Sequence, residues 1–410
     1  MFRACASLPH EELALRLEAC RGWCARLAPE AGGMLVFSRL NIYYLTGTLA
    51  EGALWLPLSG APLLLARRGA ARCRLESPSI QCRVVRNMRD IPAACAEAGM
   101  PLASVLAVDM AALSWAAGER LHAAMRAASC RMVPGDGIFA QCRARKTPWE
   151  LEKMRLAGAR HHHAVHDLLP RRIHAGMSEY EIGREIFRIL FSLGHCGLNR
   201  MGAHGEEVFL GHVAAGANGN YPSHFNGPLG LKGIHPATPF MGDPDTVWQL
   251  GTPLAVDVGF TLEGYHTDKM QCYWAGPSHS IPDAVRRAHD DCVDIQRRAA
   301  EALRDGAIPS AIWREAEALA AARGWEAGFM GLGGNKVPFL GHGIGLVIDE
   351  WPVLARRFDA PLESGMVLAI EPKIGIPGVG MVGVENTFVV TPHGGESLTG
   401  MEDELICVEQ

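Results

Sequence analysis

Two pairs of carboxylates, each straddling a turn, carry the chemistry this sequence can do. The first lies in LAVDVGFTLEGYHTDKMQCYW, where Asp257 precedes a turn near Leu262–Gly264 and Asp268 follows it. The midpoint of the two falls inside the turn. Residues equidistant from a hairpin turn become cross-strand neighbours on one face of the sheet. The second lies in MVLAIEPKIGIPGVGMVGVENTFVV, where Glu371 and Glu385 flank Gly378 of an IPGVG turn symmetrically. Adjacent carboxylates in apolar strands repel one another, and burying each ion adds a desolvation cost of several kcal/mol. A shared proton relieves part of this and a bound divalent cation relieves more. His342, between glycines in FLGHGIGLVIDEWP, adds a neutral imidazole ligand where the backbone bends tightly. Four carboxylates and one imidazole make a site for two hard or borderline cations bridged by carboxylate and water. Each acid taken singly reads equally well as an exposed strand residue or an ion-pair partner. Two pairs in similar hairpins favour the metal centre.

The other histidines carry weaker signals. His224, in the Gly/Asn/Pro-rich loop NGNYPSHFNG, has the setting of an imidazole at a cleft mouth, although taken alone it reads as a surface residue. His161, His162 and His163 are consecutive on an expected helix, point in different directions and read as exposed. His204, His212, His235 and His266 receive no role, except that His266 is close enough to Asp268 to line a cleft.

The elements that must position these residues fall into two regions. Residues 1–145 alternate helices, near 10–28, 91–98 and 112–129, with short apolar strands such as MLVFS (34–38), APLLLA (61–66) and SVLAVD (104–109). That alternation predicts an α/β layer domain. Thr147, with Pro148 next and Glu150 three residues on, has the form of a capping box and predicts a helix over 148–169. Residues 146–410 continue with helices at 178–193, 281–304 and 308–323. Strands are expected at 253–260, 265–274, 366–375 and 382–391. Arg171 and Arg172 read as a solvated helix end.

Bulk properties narrow the function classes. The 410 residues suffice for two or three domains, and a 48% hydrophobic content supplies sizeable cores. A net charge of −5 and a pI near 6.4 argue against a nucleic-acid-binding surface. The 12 cysteines include no CxxC pair, which removes a zinc ribbon. The N-terminal stretch reads as an amphipathic helix, not a signal peptide, and no apolar run approaches the roughly 20 residues of a membrane span. A cytoplasmic protein with reduced thiols, binding neither nucleic acid nor membrane, is expected.

The ordered set Asp257, Asp268, His342, Glu371 and Glu385 resembles the metal ligands of the pita-bread metallopeptidase family. Methionine aminopeptidases, Xaa-Pro aminopeptidases, prolidases and creatinases belong to that family. VDVGFTLEGYHTD, GHGIGL and IEPKIG…VGVENTFVV resemble its motifs, and NIYYLTG (41–47) resembles the N-terminal domain of its creatinase and prolidase branch. The resemblance implies an α/β N-terminal domain (1–145) followed by an α+β pita-bread catalytic domain (146–410). It implies two divalent ions (Mn, Co, Fe or Zn), with Asp257 bidentate on one, Asp268 and Glu385 bridging, and His342 and Glu371 completing the other shell. It also implies hydrolysis of a peptide or amide C–N bond by a metal-bridged hydroxide. Glu371 would shuttle a proton to the leaving nitrogen, and His224 would contact substrate or the tetrahedral intermediate. A homodimer is the arrangement common among relatives with such an N-terminal domain.

Two departures bear on substrate. Where the family carries a second histidine in HGxGxxxHExP, this sequence reads HGIGLVIDEWP and places Asp349, while Glu350 and Pro352 are kept. Where many relatives read DxTRT, this sequence reads DKMQC, with Met270 and Gln271 replacing Thr and Arg. The leading reading is an Xaa-Pro dipeptidase or aminopeptidase. The alternative is a hydrolase of a small non-peptide substrate, as creatinase and ectoine hydrolase are, since Asp349 suits a cationic or amidine group. A non-catalytic binding module ranks below both because all five ligands are present.

Overall fold

The computed structural model describes residues 3–202, 207–208 and 210–409. They divide into two units, Met1–Arg143 and Ala144–Gln410. The first unit has helices α1 (His10–Leu27), α2 (Arg39–Thr46), α3 (Ala70–Glu76), α4 (Ile91–Glu97), α5 (Trp115–Ala127) and α6 (Asp136–Ala144). Its strands are β1 (Gly33–Val36), β2 (Glu51–Pro57), β3 (Leu63–Arg68), β4 (Gln81–Val84), β5 (Val105–Val108) and β6 (Arg131–Pro134). They form one sheet in the order β4-β3-β2-β1-β5-β6, parallel where β1, β5 and β6 pair. Leu35, Trp55, Leu65, Leu106 and Val108 from its strands are buried together with Leu121 and Met125 of α5. This is the layered α/β arrangement that the alternating pattern predicts. NIYYLTG, in which the alternating pattern marks neither a helix nor a strand, is helical in α2. Ser38 caps it by accepting from the Asn41 N–H, and Gly47 ends it at φ 78°.

The second unit opens with α7 (Pro148–His162), whose capping box between Thr147 and Glu150 is formed. The expected helix over 148–169 continues past α7 as a π-turn, His163–Leu168, and a 3-10 turn, Leu169–Arg171. There follow α8 (Glu179–Ser192), β7 (Asn199–Arg200), β8 (Glu207–Val208), β9 (Gly211–Ala215), β10 (Pro253–Leu262) and β11 (Tyr265–Ala275). After these come α9 (Asp283–Ala302), α10 (Pro309–Ala322), β12 (Phe339–Gly343), β13 (Glu350–Ala355), β14 (Val367–Ile370) and β15 (Lys373–Ile376). β16 (Gly380–Gly383), β17 (Asn386–Thr391), β18 (Gly394–Ser397) and β19 (Ile406–Val408) close the chain. One sheet runs β19-β11-β10-β9 and another β13-β12-β14-β17-β18. Helix α9 buries Val285, Cys292 and Ile295 in a core shared with Ile370, Ile374 and Val382 of the strands. Its apolar face thus braces the back of the hairpin that carries Glu371 and Glu385. Among the described residues no helix is long and apolar enough to cross a membrane, and all 12 cysteines are free thiols.

Candidate metal centre and substrate cavity

Asp257 and Asp268 share a face of the β10–β11 hairpin, but they are not directly opposite. Glu263 and Gly264, at φ 50° and 90°, form the tight turn, so Leu262 pairs with Tyr265, Asp257 with Met270 and Gly259 with Asp268. Two consecutive residues at positive φ are the signature of a two-residue hairpin turn. The true turn centre lies one residue beyond the midpoint of the two aspartates, which makes them diagonal neighbours. Diagonal neighbours stand about 7–8 Å apart at the backbone, against about 5 Å for a direct pair. The wider spacing leaves room for a cation between the carboxylates.

The second hairpin keeps the expected symmetry. Ile370 pairs with Asn386 in the β14–β17 ladder and Lys373 with Gly383 in the β15–β16 ladder. Glu371 and Glu385 face each other at the joint between the two. Pro372 has no N–H to donate there, and the backbone groups of both glutamates turn outward. The Glu371 N–H donates to Leu340 O of β12 at 2.9 Å, and the Met270 N–H of β11 donates to Glu385 O at 3.2 Å. The break in one hairpin therefore ties three hairpins together at the position of the acids.

His342 lies on β12 between Val353 of β13 and Ala369 of β14. Its Nδ1 is 3.1 Å from Gly343 O. Donation from Nδ1 leaves the Nε2 lone pair facing the carboxylates, and Nε2 is 3.6 Å from Glu371 Oε1. Asp268, His342 and Glu385 each offer one ligand atom within 4.8 Å of the other two. That is near the roughly 3–4.4 Å spacing of ligand atoms around one ion with bonds of about 2.0–2.2 Å. A single divalent cation therefore fits this half of the centre.

The other half holds a residue to which the sequence reading gave no role. Lys373 is fully buried, and its Nζ lies 2.9 Å from Asp257 Oδ2, 2.7 Å from Glu371 Oε2 and 2.6 Å from Glu385 Oε2. Burial disfavours its charge, but the attraction of Asp257, Glu371 and Glu385 outweighs this and holds its pKa well above the usual lysine value. The signal was present in IEPKIGI: a lysine two residues after Glu371 shares its face in an otherwise apolar strand. Asp268 and Glu385 are pushed up well above ordinary carboxylates. Burial is the main cause for both, and the neighbouring charge of Asp257 on Asp268 and of Asp268 on Glu385 adds to it.

Asp257, Asp268, His342, Glu371 and Glu385 line a cavity of about 380 Å³, with Lys373 buried behind them. Phe225, Phe339, Trp351 and Phe358 supply its apolar wall, and Asp349 lies in it beside Glu350. Asp349 accepts a hydrogen bond from the Gly202 N–H. Glu350 is buried and braces the glycine-rich bend after His342. It accepts from the Leu346 and Val347 N–H groups at 2.9 and 3.3 Å and pairs with Lys146 at 3.2 Å.

Several histidines differ from expectation. His224 is exposed and does not line the cavity; its ring stands 6.3 Å from that of Phe240. His212 lines the cavity instead. It pairs with Asp257 across β9 and β10, and its ring meets Phe225 edge-on at 4.5 Å. Burial lowers its pKa to about 4, and its buried Nε2 has no hydrogen-bond partner among the described residues. Its place on the strand beside Asp257 was not legible without knowing that β9 joins that edge. His266 does not line the cleft. It is fully buried, with Nε2 accepting from the Arg200 N–H at 3.0 Å and Nδ1 2.9 Å from Gly345 O. His161 is buried against Thr267 at 3.1 Å, contrary to the exposed reading, because the inner face of α7 lies on β11. His163 and His235 are exposed, and His204 lies outside the described residues. Of the DKMQC substitutions neither reaches the cavity. Met270 joins the core, and Gln271, on the opposite face from Asp268, donates to Glu404 O at 2.8 Å.

Comparison with known proteins gives a consistent result. The model of metallopeptidase family M24 matches residues 152–392, and that of the creatinase/prolidase N-terminal domain matches residues 16–145. The chain is 27% identical over 393 residues to a probable dipeptidase PepE of Mycobacterium bovis, covering 92% of each chain. It is 32% identical over 156 residues to an Xaa-Pro dipeptidase of Pyrococcus furiosus, covering 38% of this chain and 42% of that one. In fold it is similar to the crystal structure of dipeptidase PepE from Mycobacterium ulcerans, with a TM-score of 0.77 at 24% identity over 99% of this chain and 100% of that one. An Xaa-Pro dipeptidase from Bacillus anthracis gives a TM-score of 0.78 at 21% identity over 96% and 99%.

Proposed function

We propose that this chain, which belongs to metallopeptidase family M24, hydrolyses the C–N bond of dipeptides or short peptides with proline after the scissile bond. The observation that carries this reading is the convergence of Asp268, His342, Glu371 and Glu385 on the floor of a cavity of about 380 Å³ with an aromatic wall. That volume lies in the range of small-ligand sites. A pyrrolidine ring is apolar, rigid and without an N–H in the peptide bond, so it suits a wall of Phe225, Phe339, Trp351 and Phe358.

Asp268, His342, Glu371 and Glu385 would hold the cation. When bound, a divalent ion supplies Lewis acidity to the carbonyl and to the attacking water. Glu371, buried beside His342, takes the proton from the attacking water and delivers it to the leaving nitrogen. His212, kept neutral at physiological pH by burial and lining the cavity beside Asp257, contacts the substrate. The family resemblance supports a cytoplasmic homodimer and a choice of ion among Mn, Co, Fe and Zn.

Asp349 favours a second reading: a carboxylate on the cavity wall suits a small cationic or amidine substrate cleaved at a C–N bond. Assay of the purified protein on Xaa-Pro dipeptides, longer Xaa-Pro peptides and small amides, with each metal, tests both. Turnover of Xaa-Pro dipeptides is expected. Turnover confined to a non-peptide amide would replace the first reading by the second. Size-exclusion chromatography with light scattering reports the dimer.

A further inference from the structure

We propose that Lys373 is a built-in cation that takes the Asp257 half of the centre, so that the site accepts one divalent ion, on the His342 half, and not two. The inference rests on the metal-dependent reading above and narrows it.

The backbone dictates where Lys373 goes. It lies two residues beyond Glu371, on the same face of the hairpin, and opposite Gly383 in the β15–β16 register. A side chain at Gly383 would collide with it: a Cβ there would stand 2.7 Å from Lys373 Cα and 3.1 Å from its Cγ. With glycine across from it, the lysine stem has a clear path along the hairpin toward Glu385, two residues further on. Ile374 of the same strand and Val382 of β16 belong to the apolar core behind the hairpin, so the opposite face is closed to a charge.

The ammonium has three N–H donors; Glu371 and Glu385 accept hydrogen bonds from it at 2.7 and 2.6 Å, and the Asp257 carboxylate completes the cluster as an ion pair at 2.9 Å. An ion bound to the same three oxygens would need bonds of about 2.0–2.2 Å and would occupy the volume that Nζ fills. Glu371 divides its two oxygens between the halves, with Oε2 on Lys373 and Oε1 toward His342. It therefore links the ammonium to the ion position as a bridging ligand would link two ions. Asp268 and His342 make no ion pair with Lys373, and with Glu385 they remain the set able to hold an ion.

The test is metal stoichiometry, on the full chain stripped by chelator and titrated with Mn²⁺ or Co²⁺ by calorimetry, with elemental analysis after dialysis. The wild type is expected to bind one ion per chain, with the six-line spectrum of an isolated Mn²⁺. Lys373→Ala is expected to bind two, with an exchange-coupled spectrum. Asp257→Asn, which leaves the His342 half intact, is expected to keep the single ion with less than a 10-fold change in Kd. Two ions in the wild type, or loss of the single ion in Asp257→Asn, would overturn the assignment of Lys373 while leaving the metal-dependent reading in place. One ion in a folded Lys373→Ala would do the same. Failure of both the wild type and Lys373→Ala to bind either metal would instead overturn the metal-dependent reading itself.

Discussion

Replacing Lys373 by methionine removes one charge and leaves the shape nearly unchanged, so the stability of the metal-free protein reports how the four acids are tolerated. Each of the three carboxylates stands 2.6–2.9 Å from Nζ. At an effective dielectric of about 20 each contact is worth roughly 6 kcal/mol of gross attraction. Most of this offsets the desolvation of a fully buried ammonium and of the acids themselves. The net loss on removing one partner of a buried ion pair is about 3–5 kcal/mol, and with three partners stranded the upper end applies. At about 2–4 °C per kcal/mol for a unit of this size, the melting temperature of Lys373→Met should fall by roughly 10–15 °C in chelator at pH 8. The pH dependence has a definite sign. The raised pKa values of Asp268 and Glu385 mean that their contribution is fully present below the unfolded carboxylate pKa, about 4. It is lost as pH rises through the folded values. Without the lysine this loss has no compensation, so the deficit relative to wild type should be smallest near pH 5 and largest at pH 8. Thermal unfolding of both proteins in chelator at pH 5, 6.5 and 8 is the assay. Melting of the variant within 2 °C of wild type at pH 8, or a deficit that grows as pH falls, would refute the placement of the ammonium among these acids. Saturating Mn²⁺ should restore much of the lost stability, since a ligand at 100 times its Kd adds about 2.7 kcal/mol.

Four further outcomes follow from the same geometry. His212→Ala should lower kcat/KM by about 10²-fold, the low end for removing a positioned acid–base or polarising group, with metal content unchanged. His224→Ala, at an exposed position outside the cavity, should change it less than 3-fold, and the reverse order would show that the loop histidine faces substrate. Asp349→His should alter the ratio of kcat/KM between Xaa-Pro dipeptides and cationic amides without changing bound metal; a fall in metal content by elemental analysis would place Asp349 among the ligands. Lys146→Met removes the buried cation beside the Glu350 carboxylate and should cost about 3–5 kcal/mol in denaturant unfolding, and a loss under 1 kcal/mol would show that the remaining partners of Glu350, the Leu346 and Val347 N–H groups among them, suffice to hold it.

The sequence by itself determined the type and order of the ligands and the hairpins that carry them. Alternation in the strands and glycine at the turns are local, so Asp257 and Asp268 share a face, Glu371 and Glu385 share a face, and the Thr147 cap starts α7. It also carried Asp349 as a departure, because one residue in a dense motif stands out without coordinates. What it did not fix was register to within a residue. Positive φ at Glu263 and Gly264 moves the turn centre by one and turns a direct aspartate pair into a diagonal one. The tertiary structure alone decided which side chains complete the site. His212 enters it because β9 joins the edge of β10, a pairing between strands separated by a long loop. His224, favoured by its loop composition, stays at the surface. Lys373 was visible as a charge in an apolar strand, but its partner could be known only when three hairpins closed on one point. A local pattern sets which face a residue occupies; only the folded chain sets which other charge occupies the same few ångströms, and between buried charges that distance decides the energy.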